Sequence, residues 1–586
     1  MGVKSKGVIT SVFGLATLLC IPLGTVAQLP PQEELPPEEL PEELIIPPTS
    51  PDPIEPTIPQ PSAPSPLPDE FPEATPEPNL QSPSPSRVPG CPAPPETSDR
   101  FFVRQVEVVG NTVLQTEIDQ YTQPLKRRTV TLEDLLCLRS KITELYIQNG
   151  YVTSGAFLPN NQDLSDGIVQ IQVVEGELND IEISGLNRLQ TGYVRSRLRQ
   201  ATTAPLNQQR LEEALQLLQL DSLIDQVNAE LTVGSTPGQN TLLIDLQEAS
   251  AFNVGVGSDN YRSPSIGSAQ LNVLVAHDNL LGVGDRLSAQ YGLTEGLDIY
   301  DIGYAVPVNA NDGTLGVRYS NSDTTIIEDE FEEFEIESET ETVSFSLRQP
   351  VLRSPQRELA LGLTLDLRHR QTFLQGEPFS FDIGTEDGES EVTVLRFSQD
   401  WVERGASRVL AARSQLSFGL DAFGATVNDV GTDGRFFAWQ GQFQWVQQLS
   451  SRTLLITRIG TQLTPDSLLS LEQFSIGGAS TVRGYRENQL VTDNGVLGSI
   501  ELRIPLTAAP SVLQLTPFFD IGTGWNNQAP DPETATLASL GLGVRWLITD
   551  NLGVRLDYGI PLIAVARRGD SLQDNGFHFS LDFQPF

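Results

Sequence analysis

Histidine, cysteine, methionine and lysine are nearly missing from this chain. Its 586 residues include 3 histidines, 3 cysteines and 1 methionine. His277, His369 and His578 lie far from one another and from the cysteines, so the close donor spacing of a metal centre is not there and none is expected. Beyond Lys4 and Lys6 the only lysines are Lys126 and Lys141. With 76 acidic against 37 basic residues and a net charge of -39, no clustered basic face can form to neutralise phosphates, which argues against a nucleic-acid partner. GxSxG, HExxH and Walker-type GK[ST] are absent, so neither an enzyme nor a cofactor is expected.

Long apolar runs are equally scarce. One, VITSVFGLATLLCIPLG, follows Lys4 and Lys6 and precedes TVAQ, the layout of an export signal over residues 1–27 with Ala27 before the cleavage point. It falls short of the ~20 residues of a spanning helix. Leu19 is bulky where a lipidation signal wants a small residue, so Cys20 is not expected to carry lipid. No later run is comparable, and a membrane protein of this sequence must cross with strands.

What is abundant from 28 to 99 is proline, serine and acid, as in LPPQEELPPEELPEEL. Such a segment lacks the apolar surface to offset ordering entropy and reads as a disordered, partly polyproline linker. At ~3.1 Å per residue it can reach on the order of 200 Å, enough to cross a periplasm or to meet peptidoglycan. Cys91 and Cys137, the two cysteines after the signal, read as a disulfide formed in an oxidising compartment, pinning the linker's end to the first folded domain.

Residues 100 to 249 hold an internal repeat. Val106, Glu107, Val108, Gly110, Leu114, Gln115 and Thr116 recur at one constant offset as Ile181, Glu182, Ile183, Gly185, Leu189, Gln190 and Thr191. Each copy runs strand, turn glycine, helices and closing strands, which divides the segment into α+β modules at 100–176 and 177–249. In the first, Leu135, Leu138, Ile142 and Leu145 fall at helical spacing, Thr131 with Asp134 gives a capping box, and Gly150 the stop. In the second, Leu211, Ala214, Leu215 and Leu218 form the stripe. Small sheets have open edges, and an open edge accepts an extended peptide as an added strand.

From about residue 250 to the end the period becomes two. In LALGLTLDLRH the leucines 359 to 367 share one face against Ala360, Gly362, Thr364, Asp366 and Arg368, and FFAWQGQFQW behaves alike. One face suits outer-membrane lipid and the other a watery lumen. Sixteen candidate strands begin near 252, 268, 286, 298, 314, 341, 358, 391, 408, 436, 452, 496, 515, 537, 552 and 577, an even number as in bacterial single-chain barrels. The acidic stretch 326–342, IIEDEFEEFEIESETET, reads as a solvated outer loop.

Between the eleventh and twelfth strands, within 470–490, lies FSIGGASTVRGYREN. It resembles the loop signature of the two-partner secretion transporters (TpsB), the ShlB/FhaC/HecB-like haemolysin and filamentous-haemagglutinin secretion/activation proteins, which carry two polypeptide-transport-associated (POTRA) domains before a sixteen-stranded barrel. That resemblance, over about residues 88 to 586, implies an outer-membrane pore that secretes a large partner exoprotein without nucleotide hydrolysis, the partner's N-terminal secretion domain docking on POTRA edge strands in the periplasm. It implies that the loop folds into the barrel, that Arg483 meets Asp520 on an inner strand face, and that Gly477, Gly478, Gly484 and Tyr485 belong to the same locking or gating element. Many members also plug the pore with an N-terminal helix, which the proline-rich front of this chain does not provide. The rival reading within the superfamily is an insertase of barrel proteins, and from another class a wall-gripping anchor.

Overall fold

The computed structural model describes residues 79–81, 91, 100–381, 384–428, 432–565 and 569–585. The export signal, and the linker apart from Asn79–Gln81 and Cys91, lie outside the described residues.

The first module contains β2 (Arg100–Val103), β3 (Gln105–Val109), α1 (Gln115–Thr122), β4 (Arg128–Thr131), α2 (Leu132–Gln148), β5 (Gly155–Phe157) and β6 (Ile168–Val174), following a short linker strand, β1 (Asn79–Gln81). Its main sheet has the order β3-β6-β5, with β3 parallel to β6. The Thr131 hydroxyl accepts from the Asp134 amide at 3.2 Å and the Asp134 carboxylate accepts from the Thr131 amide at 2.8 Å, a reciprocal cap that starts α2. Leu135, Leu138, Ile142 and Leu145 are buried with Val169, Ile171 and Val173 of β6, so the helical stripe covers one sheet face. Cys137 on this helix is bonded to Cys91, their Cα atoms 4.6 Å apart.

The second module contains β7 (Glu177–Ser184), α3 (Thr191–Ala201), α4 (Gln208–Gln219), β8 (Ile224–Val233) and β9 (Gln239–Glu248). Leu211, Leu215 and Leu218 of α4 enter a core of its own, with Ile181, Leu242 and Ile244. The sheet order is β1-β8-β9-β7. A piece of the linker read as structureless therefore forms the sheet's outer strand, parallel to β8, with Asn79 opposite Asn228, Leu80 opposite Ala229 and Gln81 opposite Glu230.

Sixteen further strands close an antiparallel barrel, joined by pairing of Val256 with Phe583 and Asp259 with Ser580, and a two-residue strand, Glu377–Pro378, pairs with the end of strand Arg357–Leu374. They begin at Phe252, Gln270, Arg286, Leu297, Thr314, Ile336, Arg357, Glu389, Arg408, Phe437, Leu454, Asn494, Leu513, Thr536, Leu552 and Phe577. Closure removes every sheet edge, which in lipid is what satisfies the backbone. Leu363 is 43% exposed to the outside while Ala360 is fully enclosed, and Phe577 is exposed while His578 is buried, so the period-two pattern sorts lipid face from lumen face. Among the described residues no helix is long and apolar enough to span a membrane.

The acidic stretch is not all loop. Strand Ile336–Arg353 begins inside it, with Ile336 and Ser338 buried and Glu337 and Glu339 exposed, because EIESETET itself alternates. Ile326 and Phe331 are also buried, so only part of the segment is a solvated loop.

The second module meets the barrel's near rim directly. The Gln190 amide donates to the Gly282 carbonyl at 2.8 Å, and Arg197 of α3 and Arg353 of the barrel both pair with Asp312 in the Val308–Gly313 turn. The Arg197 guanidinium stacks 3.4 Å from the centre of the Tyr193 ring, whose hydroxyl donates to Asp221 at 2.7 Å.

Candidate functional site

The loop between strands Leu454–Leu463 and Asn494–Pro505 carries a small hairpin, Phe474–Ile476 paired with Leu490–Thr492. Ile476, Val482, Tyr485 and Leu490 pack with Leu537 of the barrel wall, an apolar cluster that draws the loop inward. Gly477 and Gly478 have φ of 117° and 98°, values that side-chain-bearing residues rarely adopt, and they set the turn that sends the tip across the lumen.

At that tip Arg483 is 2% exposed. Its Nε donates to Asp520 Oδ2 at 2.8 Å and its Nη2 to Asp520 Oδ1 at 3.0 Å, a two-pronged contact, and its backbone amide reaches the same carboxylate at 3.2 Å. Nη1 donates to Glu501 Oε2 at 2.7 Å, and the guanidinium lies 3.5 Å from the centre of the Phe518 ring. Ser499 donates to Asp520 at 2.7 Å. These wall residues are cross-strand neighbours: Ser499 stands opposite Asp520, and Glu501 opposite Phe518.

The charge is balanced around this point. Arg503 Nε donates to Glu501 at 3.1 Å and Arg555 Nε to Asp557 at 2.6 Å, while Arg483 lies 3.7 Å from Asp557. Three arginines and three carboxylates thus share one cluster, buried except for the partly exposed Arg555, where each buried charge is tolerable only through the others.

The neighbouring residues fix the tip to further strands. The Gly484 amide donates to His578 Nε2 at 3.1 Å, and a Cβ on Gly484 would stand 2.8 Å from the Gly559 carbonyl carbon, so the two glycines let backbone pass against backbone. The Tyr485 hydroxyl accepts from the amides of Ala538 and Ile563 at 3.3 and 3.2 Å and lies within 2.9 Å of both their carbonyls. Arg486 holds Asp574 with two prongs at 3.0 and 2.9 Å and Glu328 at 2.8 Å, tying the loop to the last outer loop and to the acidic stretch.

A second fastening sits at the loop's other end. Glu472 accepts from Arg368 at 2.9 Å and from Arg396 at 2.7 Å, and Arg396 also holds Asp366 at 2.6 Å. Arg483 and Glu472 therefore reach different arcs of the wall, and the loop is a strut between them. Sequence reasoning brought Arg483, Gly484, Tyr485, Asp520, Gly477 and Gly478 to one place. It missed Glu501, Phe518, Asp557, His578, Glu472, Arg368 and Arg396. For Arg368 the signal was present, since it falls on the small and polar parity of LALGLTLDLRH; single acids in so acidic a chain stand out by no pattern.

Two POTRA-like modules, a closed sixteen-stranded barrel and a loop fastened inside it define an outer-membrane barrel with periplasmic modules. The sequence matches the haemolysin secretion/activation protein ShlB/FhaC/HecB family over residues 238–546 and the ShlB-type POTRA domain over residues 101–176. The chain belongs to this family and is an outer-membrane protein-secretion pore. It is 26% identical over 471 residues to the outer membrane transporter CdiB of Dickeya dadantii, covering 76% of this chain and 81% of that protein. To the heme/hemopexin transporter protein HuxB of Haemophilus influenzae it is 23% identical over 454 residues, covering 72% and 76%. The solved structure of CdiB from Escherichia coli superposes with a TM-score of 0.65 at 23% identity, covering 85% of this chain and 94% of that one. BamA from Haemophilus ducreyi, at 16% identity and a TM-score of 0.51, shares the fold alone.

Proposed function

We propose that this pore exports one or a few large exoproteins, each carrying an N-terminal secretion domain that docks extended on the edges of the two periplasmic modules. The cargo then crosses the barrel unfolded, without nucleotide, and folding outside supplies the drive. The observation that carries this reading is the strut: a loop held in the lumen by the Arg483 cluster at one end and by Glu472 at the other gives a conduit that is shut at rest and can be opened by releasing one end. In this reading Arg483 and Asp520 are the lock, Gly477, Gly478 and Gly484 its hinge and clearance, and Tyr485 its second latch. The apolar outer face contacts outer-membrane lipid, and the proline-rich linker spans toward peptidoglycan.

Comparison of culture-medium and outer-membrane proteomes with and without the gene tests the reading. Loss of one or a few large secreted proteins, with other barrels unchanged, is expected. A broad fall in outer-membrane barrels would sink it and favour an insertase.

A further inference from the structure

At the outer edge of β8 the molecule displays a strand-for-strand contact that does not belong to the architecture of its module. β8 has ten residues, and on its inner side it pairs with β9 over nearly that whole length. On its outer side, among the described residues, only Asn228, Ala229 and Glu230 are paired, and the strand they pair with comes from the linker. The seat is specific at one position. Ala229 is buried and small, and Leu80, opposite it, packs against the module's core with Val227 and Leu231. Asn228 and Glu230 point the other way, and Gln81 opposite Glu230 is exposed.

A three-residue strand carrying one half-buried leucine makes too few contacts to hold itself against its ordering entropy. It is kept in place by its tether. Roughly ten residues beyond Gln81 comes Cys91, which is fixed by its disulfide to Cys137 on α2 of the first module. A covalent tether of about ten residues presents its end at an effective concentration on the order of millimolar. A longer extended segment, free to pair along all ten positions, has more to gain from the same edge.

We infer that the β8 edge is an acceptor for an extended segment of the exported polypeptide, and that Asn79–Gln81 is a tethered placeholder which that segment replaces. This deepens the export reading and rests on it. The incoming segment alternates aliphatic residues, facing Val227, Ala229 and Leu231, with polar residues that are not acidic, because Asp225 and Glu230 lie exposed along the rim. The linker's own NLQ mimics the centre of such a segment: an aliphatic residue between two uncharged amides. The placeholder keeps a bare strand edge from pairing with the wrong chain while no cargo is present.

The test uses the full-length protein in detergent and a fluorescein-labelled peptide PEPNLQSPS, residues 76–84 of this chain. Leu80→Asp empties the edge while leaving every residue of the module's own strands and helices unchanged. The peptide is expected to bind this variant at least tenfold more tightly than the wild type, and the same peptide with its leucine replaced by aspartate is expected not to bind. In a Cys91→Ser/Cys137→Ser variant the tether runs from about Arg100, nearly twice as far, and peptide affinity is expected to rise about threefold, following the three-halves power of tether length. Binding to neither the wild type nor the Leu80→Asp protein, or equal binding to both, would overturn the inference. The N-terminal region of the exoprotein that depends on this gene for release is expected to displace the peptide. If that exoprotein is lost from the medium on deletion yet its N-terminal region leaves the peptide bound, the exchange is wrong and export stands; if no exoprotein depends on the gene, export fails whatever the peptide does.

Discussion

Arg483 concentrates the energetics of the lumen in one side chain. Removing it leaves Asp520 buried without its paired cation, while Glu501 keeps Arg503 and Arg555, so Arg483→Ala is expected to weaken the loop's docking by about 3–5 kcal/mol. In planar bilayers this should appear as larger and more frequent conductance steps. Arg483→Lys keeps the charge but not the two-pronged contact with Asp520 or the stacking on Phe518, and an intermediate conductance is expected. Conductance unchanged in both variants would mean that Arg483 does not hold the strut. At this scale the sequence was legible where a family signature carries it: RGY picked out Arg483, and PFFDIGTGW supplied its partner. The rest of the cluster was not legible. Glu501 and Asp557 lie in ordinary alternating strands; Glu501 follows the loop directly in sequence, whereas Asp557 is set beside it only by the pairing of later barrel strands.

Among elements, each periplasmic module places a glutamate at the end of its closing strand that captures a turn: Glu175, just after β6, the turn following β3, and Glu248, the last residue of β9, the turn following β7. Glu175 accepts from the Thr112 and Val113 amides at 2.7 and 3.3 Å and from the Tyr146 hydroxyl at 2.7 Å; Glu248 accepts from Asn187 and Leu189 at 2.7 and 2.8 Å. Burial alone would raise both carboxyls, but these hydrogen bonds outweigh it and hold both below the ordinary value of 4.5. The unfolded chain takes up the proton first. The stabilisation is therefore complete at neutral pH and drains away as the pH falls from the ordinary value through the lower folded one. Glu175→Gln or Glu248→Gln is expected to cost about 1–2 kcal/mol at pH 7 and to flatten that acid dependence, measured by hydrogen exchange of the captured amides in the whole protein. The repeat itself was legible because its spacing is constant across seven positions. β1 was not: NLQ sits between Pro78 and Pro83 in a segment whose composition reads as linker, and only the partner strand gives it a conformation.

For the whole molecule, period-two alternation located the barrel strands because lipid and lumen impose opposite demands on alternate residues. The setting of the second module against the rim had no such signature, since it depends on Arg197, Asp312 and Arg353 meeting from distant parts of the chain. Asp312→Asn should loosen this junction by about 2 kcal/mol and broaden the distance distribution between spin labels on α3 and on a barrel turn; a distribution as narrow as the wild type's would show that the Gln190–Gly282 contact suffices. Export by this pore, as proposed, requires no other protein and no nucleotide. Proteoliposomes holding only this chain, with its periplasmic modules outward and no nucleotide, should protect an added unfolded exoprotein from protease in proportion to pore number. No protection, together with acquisition of folded, heat-modifiable mobility by an added unfolded barrel protein, would contradict it.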